Sequence, residues 1–334
     1  MIANNLIRSV EELISKVKID HQSWGSETFP WFRGEPAFPE NYYDGKPAPL
    51  LPELYRYPEG TSYENRLLQH FRMKAPVFGD LNTPNVHEVD KWLFLARHVG
   101  LPTRLLDWTE SLLAALFFAT HTSGKGAVVW MLDPIRLNAL STRVIKQKKA
   151  AHQISRLRDN AFDLTWLSHD TRPPNRQEMR HEMEALLNSL SNRHPVNFTC
   201  PLSRFSPDSE MFKAHIGKAN ANIRGAWETD SIGTDFPVAI HPTNIHTRMS
   251  TQKSCFTIHG IDKRSLLDLV ANITPPILFK YDVDPRKETK IKAELRLLGI
   301  TQSSLMPDLD GLARDIVEAF LPSRTESMTE QIKM

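Results

Sequence analysis

The stretch RLLDWTESLLAALFFA, residues 104–119, constrains this chain more than any other. From Leu112 to Ala119 it is apolar around every side of a helix, and a helix with no polar face has to be enclosed. Neighbouring parts of the chain must therefore cover it on all sides. With 334 residues, 40% hydrophobic and 24% charged, the chain has globular composition and length enough for one large domain or two small ones.

Composition narrows the classes of function. The formal net charge is +2, so any attraction for nucleic acid has to come from local patches. Cys200 and Cys255 lie far apart with no metal-type spacing and imply no disulfide framework, which fits a reducing cytoplasm. The opening residues mix charges into helical apolar spacing, whereas a signal peptide needs an unbroken apolar run. No stretch is long enough to span a bilayer. The expectation is a cytoplasmic protein with no membrane partner.

Periodicity predicts a mixed α+β chain with a small twisted, mainly antiparallel sheet flanked by helices. An opening helix within residues 1–27 places Ile7, Val10, Leu13, Ile14 and Val17 on one face. PWFRGE reads as a strand, and a helix follows with Ser62 as its N-cap and Glu64 beside Leu67, Leu68 and Phe71. VHEVDKWLFLARHVG closes on Gly100 as a helix C-terminus, and the apolar helix is expected to begin at Asp107 and Trp108. GAVVWMLD is a core strand. Residues 134–235 are polar and turn-rich and read as a mainly helical insertion between 28–133 and 236–322. Strands return at FPVAIHP, SCFTIHG and PPILFKYDVD, two helices close the chain, and 323–334 form a frayed tail.

Two segments carry the chemistry. In FPWFRGEPAF, Arg33 stands between Phe32 and Gly34: either a structural ion-pair partner, or a guanidinium held for a planar or phosphorylated ligand that glycine lets approach. Between residues 95 and 119, His98, Thr103, Arg104, Asp107 and Trp108 are compressed between apolar helices. Asp107 could cap a helix and pair with Arg104, or the cluster could meet an anion at a helix N-terminus. Asp308 and Asp310 resemble metal ligands, but Pro307-Asp308 suits a helix start. RHEME, with His181 and Glu184, lacks the second histidine of a zinc helix, so no metal is expected. The basic run over 143–158 either tracks a phosphate backbone or is an exposed helix.

WFRG, HVGLPTRLLDWTESLLAALFFA, RMSTQKSCFTIHG and LLGITQSSLMPDLDGLA occur in this order, and together they resemble the FRG domain, a bacterial and phage-associated family. The resemblance covers roughly residues 28 to 320, interrupted by the insertion. The family often has Gln-Gln-Gly or Gln-x-Gly before the phenylalanine; here Ser254 and Cys255 stand there, with Gln252 retained. The order of parts is in turn similar to that of ADP-ribosyltransferase toxins. That similarity implies an ADP-ribosyltransferase-like fold with NAD as substrate; the lysines and arginines of the 134–235 insertion then favour a nucleic-acid acceptor, RNA first, and because an unchecked activity of that kind harms its host, a neutralising antitoxin protein is expected. It also implies roles. Arg33, with Thr103 and Arg104, would hold diphosphate or ribose; Phe32 and Trp108 would wall the ring; Gly34 would admit the ligand; Gln252 would bind ribose hydroxyls. His98 would position substrate or take its proton, and the acid would be one of Glu64, Asp107 and Glu294. On this reading Arg33→Ala abolishes activity while the fold survives. A metal-independent ribonuclease using His98, Arg33 and Arg104, and a non-catalytic nucleotide-binding module, are the other readings. All three require Arg33, His98 and Asp107 to converge on one hollow.

Overall fold

The computed structural model describes residues 6–25, 29–36, 42–43, 46–47, 49–78, 84–85, 88–121, 126–141, 237–242, 247–260 and 262–321. Most of the 134–235 segment, including His181, Glu184, Cys200 and the basic run, lies outside them.

Seven strands make one sheet: β1 (Leu6–Ile7), β2 (Trp31–Pro36), β5 (Leu105–Thr109), β6 (Ala127–Leu132), β7 (Val238–Ile240), β8 (Ser254–Ile258) and β9 (Leu278–Val283). Their order across the sheet is β1-β9-β6-β2-β5-β8-β7, antiparallel throughout except for the parallel β1–β9 edge. The two-residue strands β3 (Tyr42–Tyr43) and β4 (Lys46–Pro47) pair separately. Strands from both sides of the 134–235 segment thus share one sheet, as the mixed, mainly antiparallel reading requires.

Alternation along the strands divides the core. Trp31, Leu106, Trp108, Trp130 and Cys255 point to one face, where they join Leu266 and Val270. The opposite face carries two separate clusters. Phe32, Val129 and Tyr281 pack under α1 (Val10–Gln22), α4 (Leu112–His121) and the Glu288–Leu297 helix. Leu105, Phe256 and Ile258 pack under α3 (Val89–His98), with Phe94 stacked on Phe256 at 5.4 Å between ring centroids. The all-apolar α4 is enclosed, as its composition demands.

Three local expectations are corrected. Asp107 and Trp108 do not start α4; they lie in β5, whose five residues all pair with β8. Alternate burial of Leu106 and Trp108 against Leu105 and Asp107 serves two faces, which a strand allows and a helix start does not. The helix begins four residues after Trp108, where Ser111 Oγ accepts from the Ala114 N–H at 3.3 Å. Ile7 belongs to β1, not to the opening helix. That helix starts at Val10 with Ser9 as cap and buries Val10, Leu13 and Val17, leaving Ile14 exposed. Finally, α2 (Gly60–Lys74) starts two residues before Ser62, because Glu59 turns left-handed (φ 53°) and reverses the chain there.

Asp308 caps the Leu309–Phe320 helix: its Oδ1 accepts from the Gly311 N–H at 2.6 Å. Its carboxylate also pairs with Arg248. Asp308→Ala should cost about 1 kcal/mol through the lost cap, read as a fall in the thermal midpoint; an unchanged midpoint would show that the helix end does not contribute to global stability.

Candidate functional site

The site is a gap in the sheet. β2 pairs with β6 along all six of its residues but with β5 only at Phe32–Thr109. Past that bridge the two strands part, between the cluster under α4 and the cluster under α3. A cleft of about 390 Å³ opens there. That lies in the lower part of the ~300–1,000 Å³ range of small-molecule sites.

Each wall has a source in the fold. Phe32 and Gly34 come from β2, Ala115 and Phe118 from α4, and Arg97, His98 and Gly100 from the end of α3. Gly100 holds φ at 92°, the left-handed turn that stops α3 just after His98. Asp107, Trp108 and Thr109 of β5 and Ser254 and Phe256 of β8 complete the lining, with Arg248, Gln252 and Met306. Gln252 is tied by its Nε2 to the Leu305 carbonyl at 3.2 Å, and its own carbonyl accepts from Thr109 Oγ1 at 2.6 Å.

An alternating chain of charges runs through the gap. Arg97 donates from Nε (2.9 Å) and Nη2 (2.7 Å) to Asp107 Oδ2 and from Nη1 to Glu53 Oε2 at 2.7 Å. Arg33 donates from Nη1 to the Asp107 carbonyl at 2.8 Å, and the same nitrogen lies 3.6 Å from the Asp107 carboxylate. Its Nε donates to Glu35 Oε1 at 2.8 Å, and the other oxygen of this buried glutamate accepts from Trp130 Nε1 at 3.1 Å. Arg33 therefore spans the split, bonding the backbone of the strand that β2 no longer pairs with. Arg33 is an ion-pair partner, and it also lines the hollow.

Electrostatics set the state of the central acid. Burial works to raise the Asp107 carboxyl, but the charge and hydrogen bonds of Arg97, joined by the charge of Arg33, outweigh burial and hold it below the usual carboxylate range. Asp107 is thus an anion at neutral pH. The Arg97 guanidinium is held correspondingly tightly, above its ordinary value, chiefly by the charge of Asp107. Three guanidiniums (Arg33, Arg97, Arg248) and one carboxylate face the cleft among the described residues, while Glu35 and Glu53 stand behind them.

Phe32, Arg33, Gly34, His98, Asp107, Trp108 and Gln252 all line the cleft, so the convergence expected of Arg33, His98 and Asp107 is met. Others are placed elsewhere. Arg104 is fully buried and pairs with Glu64, which is also buried: Arg104 Nε donates to Glu64 Oε2 at 2.6 Å, and Nη2 contacts the same oxygen. Neither borders the cleft: Arg104 sits one residue before β5 and is claimed by Glu64 of α2. The Arg104–Asp107 pairing weighed from sequence is replaced by Arg97–Asp107. Thr103 is buried, and its Oγ1 accepts from the Leu105 N–H at 3.2 Å. Glu294 accepts from the Val10 N–H at 2.8 Å, capping α1 from another helix. Gly34 lines the cleft, yet its lack of a Cβ is required by packing: a Cβ there would lie 1.9 Å from the Ala115 carbonyl oxygen and 2.6 Å from the Ala119 nitrogen. It is α4, not a ligand, that comes close.

Arg97, Arg248, Phe118 and Met306 belong to the site and are absent from the sequence-based candidates. Arg97 was legible in principle: in VDKWLFLARH the apolar face of α3 leaves Arg97 and His98 together in the last turn. A basic pair at a helix C-terminus is so commonly a complement to the helix dipole that it raises no flag.

No helix among the described residues is long and apolar enough to cross a membrane. No curated protein and no solved structure matches the chain. Residues 31–127, from the start of β2 to the first residue of β6 and so including Arg33, Arg97, His98 and Asp107, match the FRG domain family.

Proposed function

We propose that the cleft binds a phosphate-bearing nucleotide, NAD foremost, and that the protein transfers ADP-ribose from it. One observation carries this reading: three guanidiniums and one ionised carboxylate share a cleft walled by Phe32, Phe118 and Phe256. Guanidiniums match phosphate oxygens in geometry and charge, and aromatic walls take a flat base or pyridine ring. In the transfer, the ribose C1′–nicotinamide nitrogen bond breaks and its electron pair leaves with nicotinamide. The ribose passes through a cationic state, and the acceptor nucleophile bonds C1′ as it loses its proton. Asp107 is the anion available beside that cation, and His98 in the cleft lining is the base for the departing proton. Arg33 and Arg97 partly neutralise Asp107, so its contribution is mainly to orient. In this reading the protein is a toxin of a toxin–antitoxin or phage-defence system, restrained by a neutralising protein. RNA is the favoured acceptor, engaged by the basic run over 143–158.

Incubation with NAD labelled in the adenylate half, scored for nicotinamide release and for label on RNA, DNA or lysate protein, tests this directly. Release with transfer is expected. The absence of both release and transfer would remove the reading; nucleotide binding without turnover would leave a binding module, and RNA cleavage without NAD would leave the ribonuclease.

Arg33 needs a gentler probe than alanine. Removing its side chain would strand Glu35, a buried carboxylate, so the expectation that Arg33→Ala spares the fold gives way to a structural cost. Arg33→Lys keeps the charge but cannot reach Glu35 and the Asp107 carbonyl together. Turnover should fall about 100-fold, equivalent to ~3 kcal/mol of barrier, with the circular dichroism spectrum retained; wild-type turnover in this variant would exclude the fork of Arg33 from the site.

A further inference from the structure

Resting on the reading of the cleft as a nucleotide site, we infer that Arg97 is its positioning residue, turning Oδ2 of Asp107 into its own fork and so holding the carboxylate toward hydroxyl donors of the ligand. Two nitrogens of one guanidinium converge on Oδ2, at 2.9 and 2.7 Å, which fixes the plane of the carboxylate more tightly than one bond would. Arg97 is itself pinned from behind by Glu53, whose turn is fastened to the body where the Leu54 N–H meets the Thr103 carbonyl at 3.4 Å. Asp107 remains 39% exposed in its side chain and borders the cleft, so the carboxylate is held but not covered. A carboxylate so oriented accepts from hydroxyls such as those of ribose.

Several charged groups surround Asp107. Arg97 of α3 and Arg33 of β2 contact it directly, Glu53 backs Arg97 and Glu35 backs Arg33, and His98 and Arg248 line the same cleft. Of these, Arg97 makes the largest contribution against the effect of burial. Without it, burial faces mainly the charge of Arg33, and the carboxyl takes up its proton at a higher pH than in the wild type.

The test uses the full chain with ADP-ribose as probe, by calorimetry from about pH 8 down to about pH 5. Wild-type affinity should be nearly flat. Arg97→Gln should be weaker by about tenfold at pH 8, the size expected for one charged hydrogen bond, and should weaken further as the pH falls. Arg97→Lys should be weaker but keep the flat profile. Equal weakening of Arg97→Gln at every pH would overturn the inference.

A second arm needs no ligand. Asp107 has a lowered folded value, so its pairing contributes stability above the unfolded carboxylate range that is lost as pH falls through the folded value. The stability gap between wild type and Arg97→Gln should therefore narrow in acid, and this narrowing should diminish in an Asp107→Asn background. A gap that narrows equally in that background would assign the effect to Glu53 and overturn the inference. If ADP-ribose does not bind the wild type, the nucleotide reading fails, while this arm still decides whether Arg97 governs Asp107.

Discussion

Replacing Gly34 with alanine should leave little folded protein. The added Cβ would sit 1.9 Å from a carbonyl oxygen and 2.6 Å from an amide nitrogen of α4, both backbone atoms that no rotamer change can move. The clash can be relieved only by lifting α4 from β2, which opens the cluster of Phe32, Ala115, Leu116 and Ala119 and one wall of the cleft with it. A loss beyond ~4 kcal/mol is expected, at the far end of what single substitutions cost. Soluble yield and the thermal midpoint check it. An Gly34→Ala protein melting within a few degrees of wild type would show that helix and strand do not touch as described. The same substitution at a site where glycine merely admits a ligand would instead reduce binding and leave the midpoint alone.

Glu64→Gln should also be costly, and for a reason unrelated to chemistry in the cleft. Arg104 is 1% exposed, and its charge is answered by the Glu64 carboxylate. An amide keeps the shape but leaves a buried guanidinium without its counter-charge, at a cost of about 3–5 kcal/mol. Denaturant unfolding of Glu64→Gln measures it. The paired replacement Glu64→Leu with Arg104→Met removes both charges and should recover much of the loss, since the desolvation of both ions disappears along with their attraction. If Glu64→Gln stopped turnover at unchanged stability, the acid would belong to the reaction after all.

These two residues show how far a linear reading reaches. Gly34 and Glu64 were both marked by sequence, and both matter, but for packing and for charge balance respectively. A glycine beside an arginine looks the same whether a ligand or a helix approaches it; only the position of α4, whose Ala115 lies 81 residues on and touches Gly34, separates the two.

The sites that chemistry would use were legible where residue type and local pattern agree. Arg33 in its aromatic collar, His98 before a glycine stop and Asp107 beside Trp108 were all identifiable, and all three border the cleft. Arg104 misled because an arginine three residues before an aspartate invites pairing. Arg104 instead stands just before β5 and pairs with Glu64 of α2, and the real partner of Asp107, Arg97, comes from the preceding helix.

What the sequence by itself determined was the set of elements: an all-apolar helix that had to be enclosed, most of the alternating strands around it, and the cap at Asp308. These depend on contacts a few residues apart, where periodicity and hydrogen-bonding side chains suffice. Tertiary structure alone decided that β2 and β5 part after a single bridge, that Arg33 spans the split, and that Glu64 and Glu294 serve the body of the protein instead of the cleft. The physical reason is that a charge's role is set by the nearest opposite charge in space, and those partners come from elements that local sequence pattern does not connect.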